Sequence, residues 1–188
     1  MTHPQFKQFF DHCIGQWITE RTYHYLTHQD VERSRTEFFI NPLTPEIKTK
    51  VFNDNEYPLV PDLDPIPGFN LGFYTISDKG EEVSQNLNLL FVVNGETQDY
   101  LEGDYLRDKS YSEGKPIISH FRFDLAKNEL LMTTKYTKVI SVDSIRMINP
   151  SLRIRNIVNY QRPEEGEALT VVNLVGFGVE EKVVVVSG

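Results

Sequence analysis

The amino-acid sequence predicts a mainly β protein, an up-and-down antiparallel barrel with a short N-terminal helix and one further short helix. Three observations carry this. About ten strand-like runs follow one another at roughly 8–12-residue spacing. Turn residues separate many of them. Helix signals occur in only two short stretches, apolar spacing in the first and capping residues in the second. A meander of hairpins, closed on itself, removes exposed edges and leaves room for one small ligand.

Taken in order, Phe6, Phe9, Phe10, Cys13 and Ile14 recur at helical spacing, so the first element is a short amphipathic helix ended by Gly15. Strand runs are expected at 17–26 and 30–40. Thr44-Pro45-Glu46 then reads as an N-cap, a proline at the first helical position and an acid in the first turn, starting a helix that runs to Phe52. A loop with Pro58, Pro61, Pro65 and Pro67 follows, a candidate gate for the barrel mouth or a contact for a partner. Further strands are expected at 69–77, 83–93, 97–106, 117–124, 129–138, 142–148, 151–162 and 168–178. Asn94-Gly95 gives the strongest hairpin signal; Asp78-Lys79-Gly80, Lys127-Asn128, Asn149-Pro150 and Pro163–Gly166 mark other turns.

The 188 residues suffice for one domain, 1–188, with a sizeable core and no interdomain linker. A net charge of −8 argues against nucleic acid and against an anionic membrane surface as the main partner. Cys13 is the one cysteine, so no intramolecular disulfide forms, and its place on the apolar helix face predicts burial. No apolar run reads as a signal peptide or membrane span, and the expected location is cytoplasmic. The five histidines, at 3, 12, 24, 28 and 120, lack metal-ligand spacing, so no metal is expected. No nucleophile elbow, phosphate loop or CxxC is present. The acids at 99, 102 and 104 read as a solvated edge.

Two separated stretches hold the candidate site. Alternation from Trp17 puts Thr19, Arg21, Tyr23 and Tyr25 on one strand face and Glu20, Thr22, His24 and Leu26 on the other. If Trp17 faces the lumen, Arg21 does too, and a buried guanidinium needs an internal acid or a ligand carboxylate. By parity His24 belongs outside or at the rim. Arg153 and Arg155 share a face, about 6.5–7 Å apart along the strand, and each can grip a carboxylate through two hydrogen bonds. Parity alone favours a solvated outer face for this pair, with Leu152, Ile154, Val158 and Tyr160 packed inward.

Gly15-Gln16-Trp17 after a helix and before the first strand resembles the lipocalin and calycin signature, in which the Trp plugs the barrel base. Phe6, Phe9, Phe10, Gly15, Trp17, Arg21, Thr22, His24 and Leu26, together with Asn149-Pro150-Ser151-Leu152-Arg153-Ile154-Arg155, resemble the S-type phycobiliprotein lyases. That resemblance implies a ten-stranded barrel of the fatty-acid-binding type. It also implies a linear tetrapyrrole (bilin, such as phycocyanobilin or phycoerythrobilin) bound as substrate rather than as a cofactor. The bilin passes to a cysteine of an apo-phycobiliprotein α or β subunit as a thioether, in cyanobacterial cytoplasm or plastid stroma, and a homodimer or a heterodimer with a paralogue is among the implied assemblies. Carried over by position, Arg21, His24, Arg153 and Arg155 are the implied bilin contacts and Trp17 marks the base. Two departures stand out. Where relatives carry tryptophans over 69–77, this chain has Phe69, Phe73 and Tyr74. Relatives also end the last strand with a ligand-facing glutamate, whereas a last strand over 168–178 leaves Glu180 and Glu181 beyond its end. Alternative readings are a T-type bilin lyase on the same fold and a non-enzymatic lipocalin-like carrier of bilin, fatty acid or haem.

Overall fold

The computed structural model describes residues 3–108 and 117–183. Its elements run α1 (Pro4–Cys13), β1 (Gly15–Tyr25), β2 (Asp30–Pro42), α2 (Pro45–Asp54), β3 (Gly68–Ser77), β4 (Glu82–Glu96), β5 (Tyr100–Arg107), β6 (Ser119–Asp124), β7 (Glu129–Lys135), β8 (Val139–Asn149), β9 (Leu152–Gln161) and β10 (Val172–Lys182). Each strand pairs antiparallel with its chain neighbour, and β1 pairs with β10 to close the barrel. The expected architecture is the observed one.

α1 is the plug of this barrel. His3 caps it, its Nδ1 accepting from the Gln5 amide at 3.3 Å, and Pro4 opens the first turn, where its missing N–H removes no helix bond. Phe6, Phe9 and Phe10 are buried against Phe91, Phe121 and Phe123, so the apolar face of the helix fills the end where β1 begins. Gln5 also ties the helix to the β6–β7 turn through the Leu125 carbonyl, at 2.5 Å. Helix ends and strand starts meet at Gly15, whose φ of +129° suits glycine. Trp17, fully buried, donates its indole N–H to the Cys13 carbonyl at 2.8 Å and so fastens β1 to the plug. Cys13 is buried as expected. Among the described residues, no helix covers the opposite end, where β1, β3, β5, β7 and β9 finish.

The structure corrects three local expectations. Asn94-Gly95 is not the hairpin turn. It lies inside β4, where the register with β5 shifts between Val93 and Gly95, and the extra residue is taken up as a bulge. The turn falls three residues later, closed by the Thr97 amide donating to the Tyr100 carbonyl at 2.9 Å. The last strand spans Val172–Lys182 rather than 168–178, which brings Glu180 inside it. The proline-rich loop does not gate the mouth. With α2 it joins the end of β2 to the start of β3, at the plugged end, and packs on the outer wall: Val51 and Phe52 of α2 bury against Leu90 and Leu106, with Tyr57, Val60, Leu63 and Ile66 alongside. The Tyr57 hydroxyl donates to Asp104 at 2.7 Å, and burial with that carboxylate pushes its pKa up to about 12. Glu102 and Asp104 thus lie on the outer face, beside His120 and Tyr57.

Because the plug is built from buried aromatic rings packed on one another, truncating one leaves a cavity. Phe6→Ala is expected to cost about 3–5 kcal/mol, read as a fall in the urea unfolding midpoint at unchanged slope.

Candidate functional site

Above the plug the barrel encloses a cavity of about 370 Å³, lined on one wall by Phe38, Phe69, Leu71 and Phe73 and on the other by polar and charged groups. That size and mixture are those of a small-molecule site. Arg21, Arg153 and Arg155 all line it.

At its deep end Glu180, fully buried, accepts from Arg153 Nε at 2.5 Å and from Arg21 Nη2 at 3.1 Å. Arg153 also donates from Nη1 to Cys13 Sγ at 3.2 Å, and its guanidinium carbon sits 4.5 Å from the Trp17 ring centroid. An aromatic face opposite a cation offsets part of the desolvation penalty. Burial works to raise the Glu180 pKa, but the guanidiniums of Arg153, Arg21 and Arg155 outweigh it and hold the carboxyl below its ordinary value. Burial raises the Cys13 thiol, and Arg153 only partly opposes that. Such a thiol is a packing group, not a nucleophile.

Midway up the wall Arg155 grips Asp143 with two hydrogen bonds, Nε to Oδ1 at 2.9 Å and Nη2 to Oδ2. Burial disfavours the Arg155 charge, but Asp143 more than compensates and raises its pKa. Nearer the mouth Arg107 donates from Nη1 to the Tyr136 hydroxyl at 2.8 Å and lies between the Tyr105 and Tyr136 rings, 5.6 and 5.3 Å from their centroids. Burial raises the Tyr105 pKa, so this phenol stays neutral.

Two glycines make the room. Gly178 stands opposite Arg21 and Arg155, and Gly176 opposite Tyr23 and Ile157, on the strand between β1 and β9. A methyl on Gly178 would sit 2.9 Å from Arg21 Cγ; one on Gly176 would sit 2.4 Å from Ile157 Cγ2 and 2.6 Å from Tyr23 Cδ1. With no side chain at Gly178, Arg21 can lean over β10 to Glu180.

The structure therefore unites Arg21, Arg153 and Arg155 and leaves His24 out. His24 is exposed on the outer face, between Tyr23 and Tyr25, paired with Val31 and Val175. Parity had placed it so, and the implied ligand role does not fit this position. The parity reading of Arg153 and Arg155 as a solvated face is wrong in the opposite sense: the apolar set Leu152, Ile154 and Val158 faces outward, because the lumen at this wall is polar. Asp143, Tyr105, Arg107 and Tyr136 went unnoticed, although alternation along β8 groups Asp143 with the inward Ile145 and Met147. Phe69 and Phe73 line the apolar wall, while Tyr74 is exposed outside.

The model of the family described as CpeS-like protein matches residues 5–183. The chain belongs to the CpeS-like family. A relative from Synechococcus sp. (strain JA-3-3Ab), named chromophore lyase CpcS/CpeS 1, is 55% identical over 178 residues, covering 95% of this chain and 96% of its own. One from Picosynechococcus sp. (strain ATCC 27264 / PCC 7002 / PR-6), named phycocyanobilin lyase subunit CpcS, is 23% identical over 79% of this chain and 75% of its own. The solved S-type phycobiliprotein lyase CPES from Guillardia theta superposes with a TM-score of 0.75 at 14% identity, covering 95% of this chain and 93% of that one. At that identity the likeness is one of fold.

In this CpeS-like barrel the buried Glu180 carries a testable electrostatic load. Glu180→Gln leaves two buried guanidiniums without their counter-charge and is expected to destabilise the fold by about 3–5 kcal/mol at pH 7. The folded carboxyl sits below its ordinary pKa near 4.5, so the unfolded chain protonates first. The stabilisation is whole above that value and drains as pH falls through it toward the lower folded value. Urea midpoints measured from pH 7 down to 3 should therefore fall more steeply for the wild-type chain than for Glu180→Gln.

Proposed function

We propose that this chain is a phycobiliprotein lyase: its barrel binds a linear tetrapyrrole and delivers it to a cysteine of an apo-phycobiliprotein subunit, where a thioether forms. The observation that carries the reading is the cluster of Arg21, Arg153 and Arg155 held inside an otherwise largely apolar cavity. Glu180 and Asp143 balance two of these three charges, so the cluster keeps a positive excess. The Nε of Arg21 is buried without a hydrogen-bond partner among the described residues. A bilin brings an extended apolar body and two propionates. The aromatic wall suits the rings, and the guanidiniums suit the carboxylates. The names of the relatives support the same activity.

The chain's tasks follow from the chemistry. A thiol from the acceptor adds to the ethylidene group of ring A, so the lyase needs no nucleophile, and its buried cysteine is not one. It holds one bilin conformer, shields it from solvent, and presents ring A at the open end. We place this activity in cyanobacterial cytoplasm or plastid stroma. Among the described residues, no helix is long and apolar enough to cross a membrane.

Co-expression with a bilin pathway and an apo-phycobiliprotein subunit tests the reading. A covalent chromophore on the acceptor, absent without this chain, is the expected result. A coloured complex of this chain with no covalent product on either subunit type would favour a carrier. In the purified protein, Arg21→Ala and Arg155→Ala should each weaken bilin binding about 10–100-fold, the size of a lost charge-assisted hydrogen bond, while circular dichroism stays that of the barrel. Unchanged affinity in both would remove the propionate-clamp assignment.

A further inference from the structure

Adding a thiol across the ethylidene double bond has a proton requirement that the arginine cluster does not meet. Sulfur bonds to the side-chain carbon, a proton must arrive at the ring carbon, and the thiol's own proton leaves to solvent. The reaction is confined to one region of the cavity. α1 fills one end of the barrel with aromatic rings, so a thiol on another protein reaches a bound bilin from the end where β1, β3, β5, β7 and β9 finish. Guanidiniums are too weakly acidic to give up a proton there. Glu180 lies at the deep end, and both Asp143 carboxyl oxygens already accept from Arg155.

Tyr136 fits the need. It follows β7 directly at the open end and lines the cavity. Its hydroxyl oxygen accepts from Arg107 Nη1 at 2.8 Å, and its own hydrogen meets no acceptor among the described residues. A cationic donor on the phenol oxygen stabilises the phenolate that remains after proton transfer. Its backbone is pinned on both sides: the amide donates to the Val139 carbonyl at 2.8 Å, and the carbonyl accepts from Arg162 Nη1 at 2.9 Å. A group fixed in this way loses little freedom when the ligand arrives. The Arg107 guanidinium lies against both the Tyr105 and the Tyr136 ring, contacts that help to fix its position.

We propose that Tyr136 is the general acid of chromophore transfer, giving its hydroxyl proton to ring A as the acceptor thiol attacks, with Arg107 as the residue that positions and polarises it. This rests on the lyase reading above. Solvent returns the proton to the phenolate after the product departs.

The test is a single-turnover transfer from purified, bilin-loaded protein to an apo-phycobiliprotein subunit, followed by absorbance and by zinc-stained denaturing gel. Tyr136→Phe should bind bilin within about two-fold of wild type, with the same absorption spectrum, and transfer it about 100-fold or more slowly. Its residual transfer should lack the slowing in D₂O shown by wild type. Arg107→Gln should slow transfer at comparable bilin affinity, and Arg107→Lys should recover part of the rate. Equal transfer rates for wild type and Tyr136→Phe would overturn the inference and leave the lyase reading intact. A Tyr136→Phe protein that loses bilin affinity as much as rate would make Tyr136 a wall residue and overturn it as well. No transfer from loaded wild-type protein to either the α or the β subunit would overturn the lyase reading, and this inference with it.

Discussion

Everything at the site depends on keeping guanidinium groups charged inside a protein. Removing a cation from water is costly unless the interior returns most of that energy. Here the return comes from several sources at once. Glu180 serves both Arg21 and Arg153, Asp143 serves Arg155 with two bonds, and the Trp17 and Phe38 rings face the Arg153 guanidinium. The arrangement is balanced so that the cations persist without being fully neutralised. Complete pairing would leave nothing for a ligand carboxylate; no pairing would unfold the barrel or empty it of charge.

That balance explains otherwise unrelated parts of the fold. Trp17 belongs to the plug through its bond to Cys13 and to the site through its contact with Arg153. Cys13 itself, the last residue of α1, touches Arg153 through its sulfur. The plug is therefore the floor of the site, and its aromatic packing fixes the deep cations. Gly176 and Gly178 belong to the same design: on the strand between Arg21 and Arg155, any larger side chain would hold these groups apart. α2 and the proline-rich loop take no part in the lumen. They cover the outer wall of β4 and β5, where Leu90 and Leu106 would otherwise meet water.

The charged groups also differ along the cavity. The deep end holds the tightly buried Arg153–Glu180–Arg21 group, the middle the Arg155–Asp143 pair, and the open end Arg107 with two tyrosines. A ligand with its carboxylates below and its reactive ring above would set the carboxylates against fixed charge and the ring beside Arg107 and its tyrosines. The division follows from the topology, since the odd-numbered strands, which carry Arg107 and lead into Tyr136, finish at the open end.

Much of this was legible in the residues themselves. Alternation and turn signals sufficed for ten strands and closure, because a half-buried strand must repeat every second residue. Helical spacing in α1, the Thr44-Pro45 start of α2 and the shared strand face of Trp17 and Arg21 were equally local facts. What the chain could not show by itself was which face of a strand meets the lumen when the lumen is polar. Leu152, Ile154 and Val158 look like a core face, yet they point outward because the space enclosed at β9 holds charge. Nor could it place Glu180, since the end of β10 is set by pairing with β1 and β9 rather than by its own sequence. The meeting of Arg21 with Arg153 and Glu180, each more than a hundred residues further along the chain, was decided only by closure. Closure brings the first strand beside the last, and only then does Arg21 reach the acid that β10 already sets beside Arg153.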